Sequence, residues 1–333
     1  MITKNLNCLL IIFSLFIVFP VLCLGQVNSA GDFVNLSITP VNPSPGQQVK
    51  VTIKSLSLDL DRASITWYVD GVEKKTEVGL KDYFVTAGTA GKNMTIGASL
   101  KNEGVIIKKE ISFFPAGVDL IFEAVSYTPP FYKGKNLNPK QGTVVVVAFP
   151  EIFNQNGKKL TTNEIVFTWE KDGVIQGNYS GLGKNYFVFT GTIPVRDVRV
   201  SVTATSIDKK ITADNSINIT NTSPKIIFYE ENPVYGIMFN KAIKNSVRMI
   251  ADEFKVKAFP YFMSVGYTQS PDLNYKWSID GKNTLGLETD KSAMLFRQDK
   301  PGSGIANIGL KIENSNRIFQ FTENRFNINF EKK

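Results

Sequence analysis

Histidine is missing from all 333 residues of the chain. Its absence removes Ser-His-Asp and Cys-His nucleophilic catalysis and the commonest zinc ligand. Cysteine is scarce: Cys8 and Cys23 both lie in an N-terminal apolar stretch. No disulfide can form beyond that stretch, so its stability must come from packing. Also lacking are a glycine-rich phosphate loop, a metal-spaced cluster and any long segment with helical apolar spacing. Gly/Ser linker tracts are absent too, which argues against loosely strung domains. These gaps predict no cofactor and no catalytic residue.

Acidic charge is in short supply. There are 38 Lys and Arg against 30 Asp and Glu, for a net charge of +8. Residues 26–124 are nearly balanced, and the excess lies in residues 125–333. A basic surface can favour acidic polymers. No lysine cluster reaches the density of a nucleic-acid face, so no nucleic-acid partner is expected.

What the chain does have is one stretch in three copies: Ile65-Thr66-Trp67-Tyr68-Val69-Asp70-Gly71, Phe167-Thr168-Trp169-Glu170-Lys171-Asp172-Gly173 and Tyr275-Lys276-Trp277-Ser278-Ile279-Asp280-Gly281. They hold all three tryptophans, spaced by roughly one sandwich domain of about 100 residues. Strand alternation puts Ile65, Trp67 and Val69 on one face, and likewise Leu273, Tyr275, Trp277 and Ile279. Asp-Gly after a half-buried strand is a hairpin signal, because a type I′ turn needs positive φ at both central residues. Trp67, Trp169 and Trp277 are therefore expected in three separate cores. Asp70-Gly71, Asp172-Gly173 and Asp280-Gly281 are expected as turns.

The pattern predicts an all-β chain of three tandem immunoglobulin-like β-sandwiches after an N-terminal signal or anchor helix. Residues 1–25 read as an export signal: Lys4 gives the positive start, residues 9–19 are apolar, Pro20 breaks the run, and Cys23-Leu24-Gly25 suits cleavage after Gly25. The rival is an uncleaved anchor, for which the run is short. The domains are expected at 31–123, 125–229 and 230–333. The strand Val118-Asp119-Leu120-Ile121-Phe122 is read as the last of domain one. Pro224-Lys225-Ile226-Ile227-Phe228 and Phe326-Asn327-Ile328-Asn329-Phe330 are read as its equivalents. Tyr83-Phe84-Val85 is matched to Tyr186-Phe187-Val188, and Phe259-Pro260 to Phe149-Pro150. The apolar, β-branched run over residues 143–149 suits a strand covered on both faces. With junctions so short, the three domains are expected end to end as a semi-rigid rod.

A tryptophan before an Asp-Gly turn in serial β domains resembles bacterial immunoglobulin-like and polycystic-kidney-disease-type modules. Tyr275-Lys276-Trp277 fits the start of the latter's motif, but Ser278-Ile279-Asp280-Gly281 lacks its inner glycine. The last third is also similar to exported proteins of small-genome bacteria. It carries Tyr229-Glu230-Glu231-Asn232-Pro233-Val234-Tyr235-Gly236 and Ala258-Phe259-Pro260-Tyr261-Phe262, followed by the Trp277 stretch. That resemblance implies a cell-surface location near pilus-type machinery and supplies no catalytic residue.

Two functions follow as expectations. The first is a non-enzymatic, exported surface protein acting as stalk, adhesin or accessory of a pilus- or secretion-type assembly. Its partner would be a protein or a cell-envelope polymer, and it would touch a membrane only through an uncleaved N-terminal segment. The second is a carbohydrate-binding or carboxylate-only carbohydrate-active protein. Tyr127, Phe131, Tyr132, Tyr261, Phe262 and Tyr267 are the candidate partner or glycan contacts, with packing between domains as the alternative. Asp59, Asp61 and Asp70 are a thin calcium candidate. Asn218, Asn327 and Asn329 are candidates for lysine isopeptide bonds.

Overall fold

Side chains alternating at period two leave each strand with one apolar face, and two such faces must close on each other. The computed structural model describes residues 33–331 apart from 57, 103, 288 and 299–301. The expected signal or anchor segment lies outside the described residues. The chain is all-β, built as three tandem immunoglobulin-like β-sandwiches, and the described residues contain no α-helix.

The first sandwich comprises β1 (Val34–Thr39), β2 (Gln48–Ser55), β3 (Ser64–Val69), β4 (Val72–Val78), β5 (Asp82–Thr86), β6 (Met94–Asn102) and β7 (Val105–Phe113). Its sheets run β1-β2-β5 and β4-β3-β6-β7. Val49, Val51 and Ile53 from one sheet meet Ile65, Trp67, Ile96, Ala98 and Leu100 from the other.

The second sandwich uses β8 (Gly117–Val125), β9 (Thr143–Glu151), β10 (Ile165–Lys171), β11 (Val174–Ile175), β12 (Gly181–Leu182), β13 (Tyr186–Thr190), β14 (Val198–Ser206) and β15 (Thr212–Ile219). Its sheets are β13-β9-β8 and β11-β10-β14-β15, with β12 also on β10.

The third consists of β16 (Lys225–Asn232), β17 (Gly236–Ile243), β18 (Ser246–Met249), β19 (Glu253–Tyr261), β20 (Leu273–Ile279), β21 (Lys282–Thr284), β22 (Ala293–Arg297), β23 (Gly304–Asn314) and β24 (Phe321–Phe330). Its sheets are β17-β16-β19-β22 and β18-β24-β23-β20-β21.

The expected boundaries need correction. Residues 118–122 lie in β8, which pairs antiparallel with β9 along its whole length and sends Val118 and Ala124 into the second core. Residues 225–228 lie in β16, which pairs with β19 and buries Ile226 and Phe228 in the third core. Both are first strands rather than last ones, while 326–330 closes the final domain in β24. The divisions therefore fall near residues 114–116 and 220–224, not at 123–125 and 229–230.

One match slips by a residue. Tyr83 and Phe187 both face the core and stack on the tryptophans, whereas Phe84 and Tyr186 face out. A one-residue shift exchanges the faces of a strand, so the identical tripeptides are not in register. Arg317 to Gln320 is part of the loop between β23 and β24. Pro150 and Pro260 do correspond: each pairs with the first strand of its domain, opposite Val118 or Ile226.

The threefold stretch behaves alike in each copy. The indoles are fully buried, and each Nε1–H donates to a backbone carbonyl: Leu80 at 3.0 Å, Lys184 at 2.9 Å and Lys291 at 3.0 Å. The turn aspartates have φ of 49°, 52° and 50°, and the glycines after them 79°, 80° and 79°. Each carboxylate also accepts the N–H of a residue on the neighbouring strand: Thr95 at 2.8 Å, Arg199 at 3.0 Å and Asn307 at 2.9 Å. The aspartate thus tolerates the left-handed backbone and fastens the turn to the sheet. Asp280→Ala is expected to destabilise the third domain by about 2 kcal/mol, and Asp280→Asn, which keeps an acceptor oxygen, by well under half of that. Denaturant unfolding of the two variants measures the difference.

Candidate functional site: an aromatic joint between the second and third sandwiches

The connections between first and second strands differ most among the domains: residues 40–47, 126–142 and 233–252. The middle one is an arm that reaches the third domain. It is braced internally, with the Ser126 hydroxyl donating to the Leu137 carbonyl and the Thr128 hydroxyl to Asn136 Oδ1. Its Tyr127 N–H donates to the Met263 carbonyl at 2.7 Å, and the Phe262 N–H returns to the Tyr127 carbonyl at 2.8 Å.

Rings close around this bridge. Phe131 lies 4.2 Å from Phe239 and edge-on to Tyr229 at 6.4 Å. Tyr132 meets Tyr261 at 6.0 Å and Phe262 at 5.8 Å, both near-perpendicular. Phe259 completes the cluster against Tyr229 and Phe239. Such edge-to-face contacts add about 0.5–1.5 kcal/mol each beyond area burial.

A polar latch sits beside the rings. Gln320 is fully buried; its Nε2 donates to the Lys140 carbonyl at 2.6 Å and to Ser264 Oγ at 2.8 Å, and its Oε1 accepts from the Ser264 N–H at 2.9 Å. The Gln141 side chain accepts from the Phe319 N–H at 3.0 Å, and its carbonyl accepts from Arg317. Gln141 and Phe262 both hold a left-handed backbone, with φ of 58° and 60°. For a ring-bearing residue this conformation costs roughly 1–2 kcal/mol, which the joint must offset.

The first joint is lighter. There Asn42 Nδ2 donates to Asp214 Oδ1 at 2.8 Å, the Ala116 N–H to the Pro43 carbonyl at 3.2 Å, and the Gly91 N–H to the Pro115 carbonyl at 3.3 Å. Gly91 backs so closely onto Phe153 that an added Cβ would stand 2.5 Å from the Phe153 Cβ.

Tyr127, Phe131, Tyr132, Tyr261 and Phe262 thus come together: the last four rings face other rings of this chain, and Tyr127 packs against the same cluster. Tyr261 and Phe262 are buried, which withdraws them as glycan platforms, since stacking needs an open ring face. Tyr267 stands apart and exposed. Tyr229, Phe239, Phe259 and Gln320 belong to the site but escaped the sequence reading; the outward alternation of Ile227, Tyr229 and Glu231 on β16 was the available signal.

The carboxylates of the calcium candidate are not gathered: Asp61 pairs with Lys81, Asp59 accepts from the Asp61 N–H, and Asp70 holds Thr95. Asn327 accepts from the Asn307 side chain at 2.9 Å. Among the described residues no group of three or more His, Cys, Asp or Glu could hold a metal ion. Nor is any helix there long and apolar enough to cross a membrane.

Burial pushes the Tyr127 phenol up to about 12. Burial also raises Tyr261, helped by the hydrogen bond it shares with Tyr229 and by the neighbouring phenols. Both stay neutral near neutral pH and act as packing groups, not as bases.

No family model matches the chain, and no curated protein matches it. Among solved structures it is similar to the three N-terminal domains of the highly immunogenic outer capsid protein of bacteriophage RB49, at 12% identity over 90% of this chain and 99% of that one, with a TM-score of 0.26. It is also similar to the central fibronectin-III array of RIM-binding protein, at 14% identity over 90% and 96%, TM-score 0.29. A third is Drosophila OTK extracellular domains 3–5, at 14% identity over 89% and 97%, TM-score 0.22.

Tyr132→Ala is expected to cost about 2 kcal/mol and to split unfolding of the second and third domains into separate calorimetric transitions, while Tyr267→Ala stays within about 0.5 kcal/mol. Tyr127 gives a pH signature. Its folded pKa lies above the unfolded value near 10, so its contribution is intact below pH 10 and disappears as pH rises through about 12. Phenolate absorbance should show a late-titrating tyrosine that moves to about 10 when Tyr132→Ala opens the joint.

Proposed function

We propose that this chain is a non-enzymatic, exported cell-surface protein whose sandwiches act as a stalk, adhesin or accessory of a pilus- or secretion-type assembly. The observation that carries the reading is the joint. Eight aromatic residues, a buried amide and two left-handed residues hold one sandwich against the next. A device that fixes neighbouring modules suits a protein that spaces or presents something. It adds nothing to a hydrolase confined to one domain.

The N-terminal stretch with Lys4, its apolar run and Pro20 supports export, and the likeness of the last third to exported proteins of small-genome bacteria supports a surface location. Sheet edges then offer the mode of binding, by strand addition or side-by-side contact. The carbohydrate reading loses ground because the clustered rings are turned on one another.

Protease shaving of intact cells tests the location. The chain should be cleaved at exposed loops without lysis, and protection until the cells are broken would sink the proposal. A glycan array run in parallel should show no saturable binding. Saturable binding abolished by Tyr132→Ala would turn the assignment toward carbohydrate.

A further inference from the structure

β5, β13 and β22 are equivalent strands, each closing one edge of the smaller sheet of its sandwich. An edge strand turns the N–H and C=O of alternate residues away from its neighbour, and charge or cover keeps other strands off them. Two of the three edges are protected. β5 carries Asp82, paired with Lys50 at 2.9 Å, and Lys81 pairs with Asp61 at 2.8 Å beside its start. In β22 the Ala293 N–H donates to the Asp290 carbonyl at 2.9 Å, and the Ala293 carbonyl accepts from the Leu287 N–H at 3.0 Å. Arg297, at the other end of β22, is bound to Glu253.

The edge of β13 has neither charge nor cover. The Asn185 carbonyl accepts from the Ala148 N–H, and the Gly191 N–H donates to the Gly142 carbonyl, so the odd-numbered residues of β13 bond to β9. Tyr186, Val188 and Thr190 turn their backbone groups the other way, where no hydrogen-bond partner meets them among the described residues. The far edge of the same sheet is better occupied. There, on β8, the Val118 carbonyl accepts from the Asn215 side chain and the Ala124 N–H donates to the Asn136 carbonyl.

We propose that β13 is a strand-accepting edge, and that it takes an extended segment of a second protein, apolar at alternate positions and uncharged over the residues that pair. The proposal deepens the surface-protein reading and rests on it for where the partner is met. Three observations define the chemistry. First, the three N–H and three C=O groups recur about 7 Å apart, the two-residue repeat of a strand. An extended backbone can meet all of them at once, and a sugar, a lipid tail or a helix cannot.

Second, the outward side chains along the edge are Tyr186 (54% exposed), half-buried Val188 and Thr190, with Val147 and Val145 beside the first two on β9. Apolar residues opposite them would extend this row. A second β13, paired antiparallel about Val188, would set Thr190 against the exposed Tyr186 ring, which an apolar residue covers better. Third, residues 173–195 hold no Asp or Glu, and their one cation, Lys184, lies outside β13 and donates to the Asn178 carbonyl at 2.9 Å. Glu151 lies on β9 beyond the rows that pair with β13, and Glu123 is on β8, two strand spacings or about 10 Å from the edge. A charge in the middle of an incoming strand would therefore lose water and find no partner.

The test uses the whole protein, purified as the expressing cell leaves it, and a labelled synthetic peptide, acetyl-Glu-Val-Thr-Val-Thr-Val-Glu-amide, which reads the same in both directions. Fluorescence anisotropy should saturate below about 1 mM peptide. Methylating the three valine nitrogens, which removes their donors, should weaken binding at least about 30-fold, and lysine in place of the central valine at least about tenfold. With peptide bound, hydrogen exchange should slow at least about tenfold at the Tyr186, Val188 and Thr190 amides and stay unchanged at Phe187 and Phe189. Val188→Pro removes an N–H that the fold does not use, so binding should be lost with melting unchanged. A peptide that does not saturate, that binds as well when methylated, or that slows other amides instead overturns the proposal. So does a wild-type dimer that Val188→Pro converts to monomer in sedimentation velocity, which gives the edge to a second copy. Protease shaving reports on the surface location alone, so the failure of one reading is distinguishable from the failure of the other.

Discussion

The structure depends on an indole that cannot be buried without a partner for its N–H. Each sandwich solves this in the same way. The tryptophan comes from β3, β10 or β20, and the carbonyl it finds lies three residues before the inward side chain that contacts it or lines the same core: Leu80 before Tyr83, Lys184 before Phe187, Lys291 before Met294. Leaving that N–H unpaired would cost roughly 1–3 kcal/mol, on top of misplacing the largest side chain in the core. The bond therefore fixes the distance between that strand and the approach to β5, β13 or β22. The Asp-Gly turn, anchored to β6, β14 or β23, fixes the other end of the same strand. Around this frame the rest is free to vary, and it does.

Variation collects in the connection between first and second strands. It is a short proline-rich turn in the first domain, an aromatic arm in the second and two added strands in the third. The arm and the added hairpin strand β17 meet: Phe131 of the arm packs on Phe239 of β17. Two insertions that each leave rings uncovered in isolation cover one another at the joint. The strain at Phe262 and Gln141 is sustained because bonds from both domains converge on those two residues.

The repeat was legible because tryptophan is rare and its distance to Asp-Gly is short. The fold class followed from alternation alone. Boundaries were not legible, because first and last strands of a sandwich carry the same signature. Residues 118–122 and 326–330 are both alternating apolar strands of similar length, and only hydrogen-bond partners tell them apart. Register was lost at Tyr83-Phe84-Val85 for a related reason: any aromatic of the three can fill the slot beside the indole, so identical letters need not share a face. The joint was half legible. Its rings were visible as a cluster in sequence, but alternation separates inside from outside and does not say what lies over the outside. Gln320 carries no signal until Lys140 and Ser264 are brought to it by the fold.

The third domain shows how the same chain manages its open sheet edges. Unpaired edge strands invite association, and charge is the simplest deterrent. The closing strand of the first domain, β7, carries Lys108, Lys109 and Glu110, and that of the second, β15, carries Asp214. In β24 the charge is confined to Glu323 and Arg325, whereas Phe326 to Phe330 is uncharged. It is this uncharged half that β18 covers, pairing in parallel from Ser246 with Asn327 to Met249 with Phe330. The charged half is left without a strand partner at that edge among the described residues. The extra strand stands where charge is missing. The outer face of the second domain, where Ile121, Val125, Phe149 and Tyr186 are exposed, has no added strand across it.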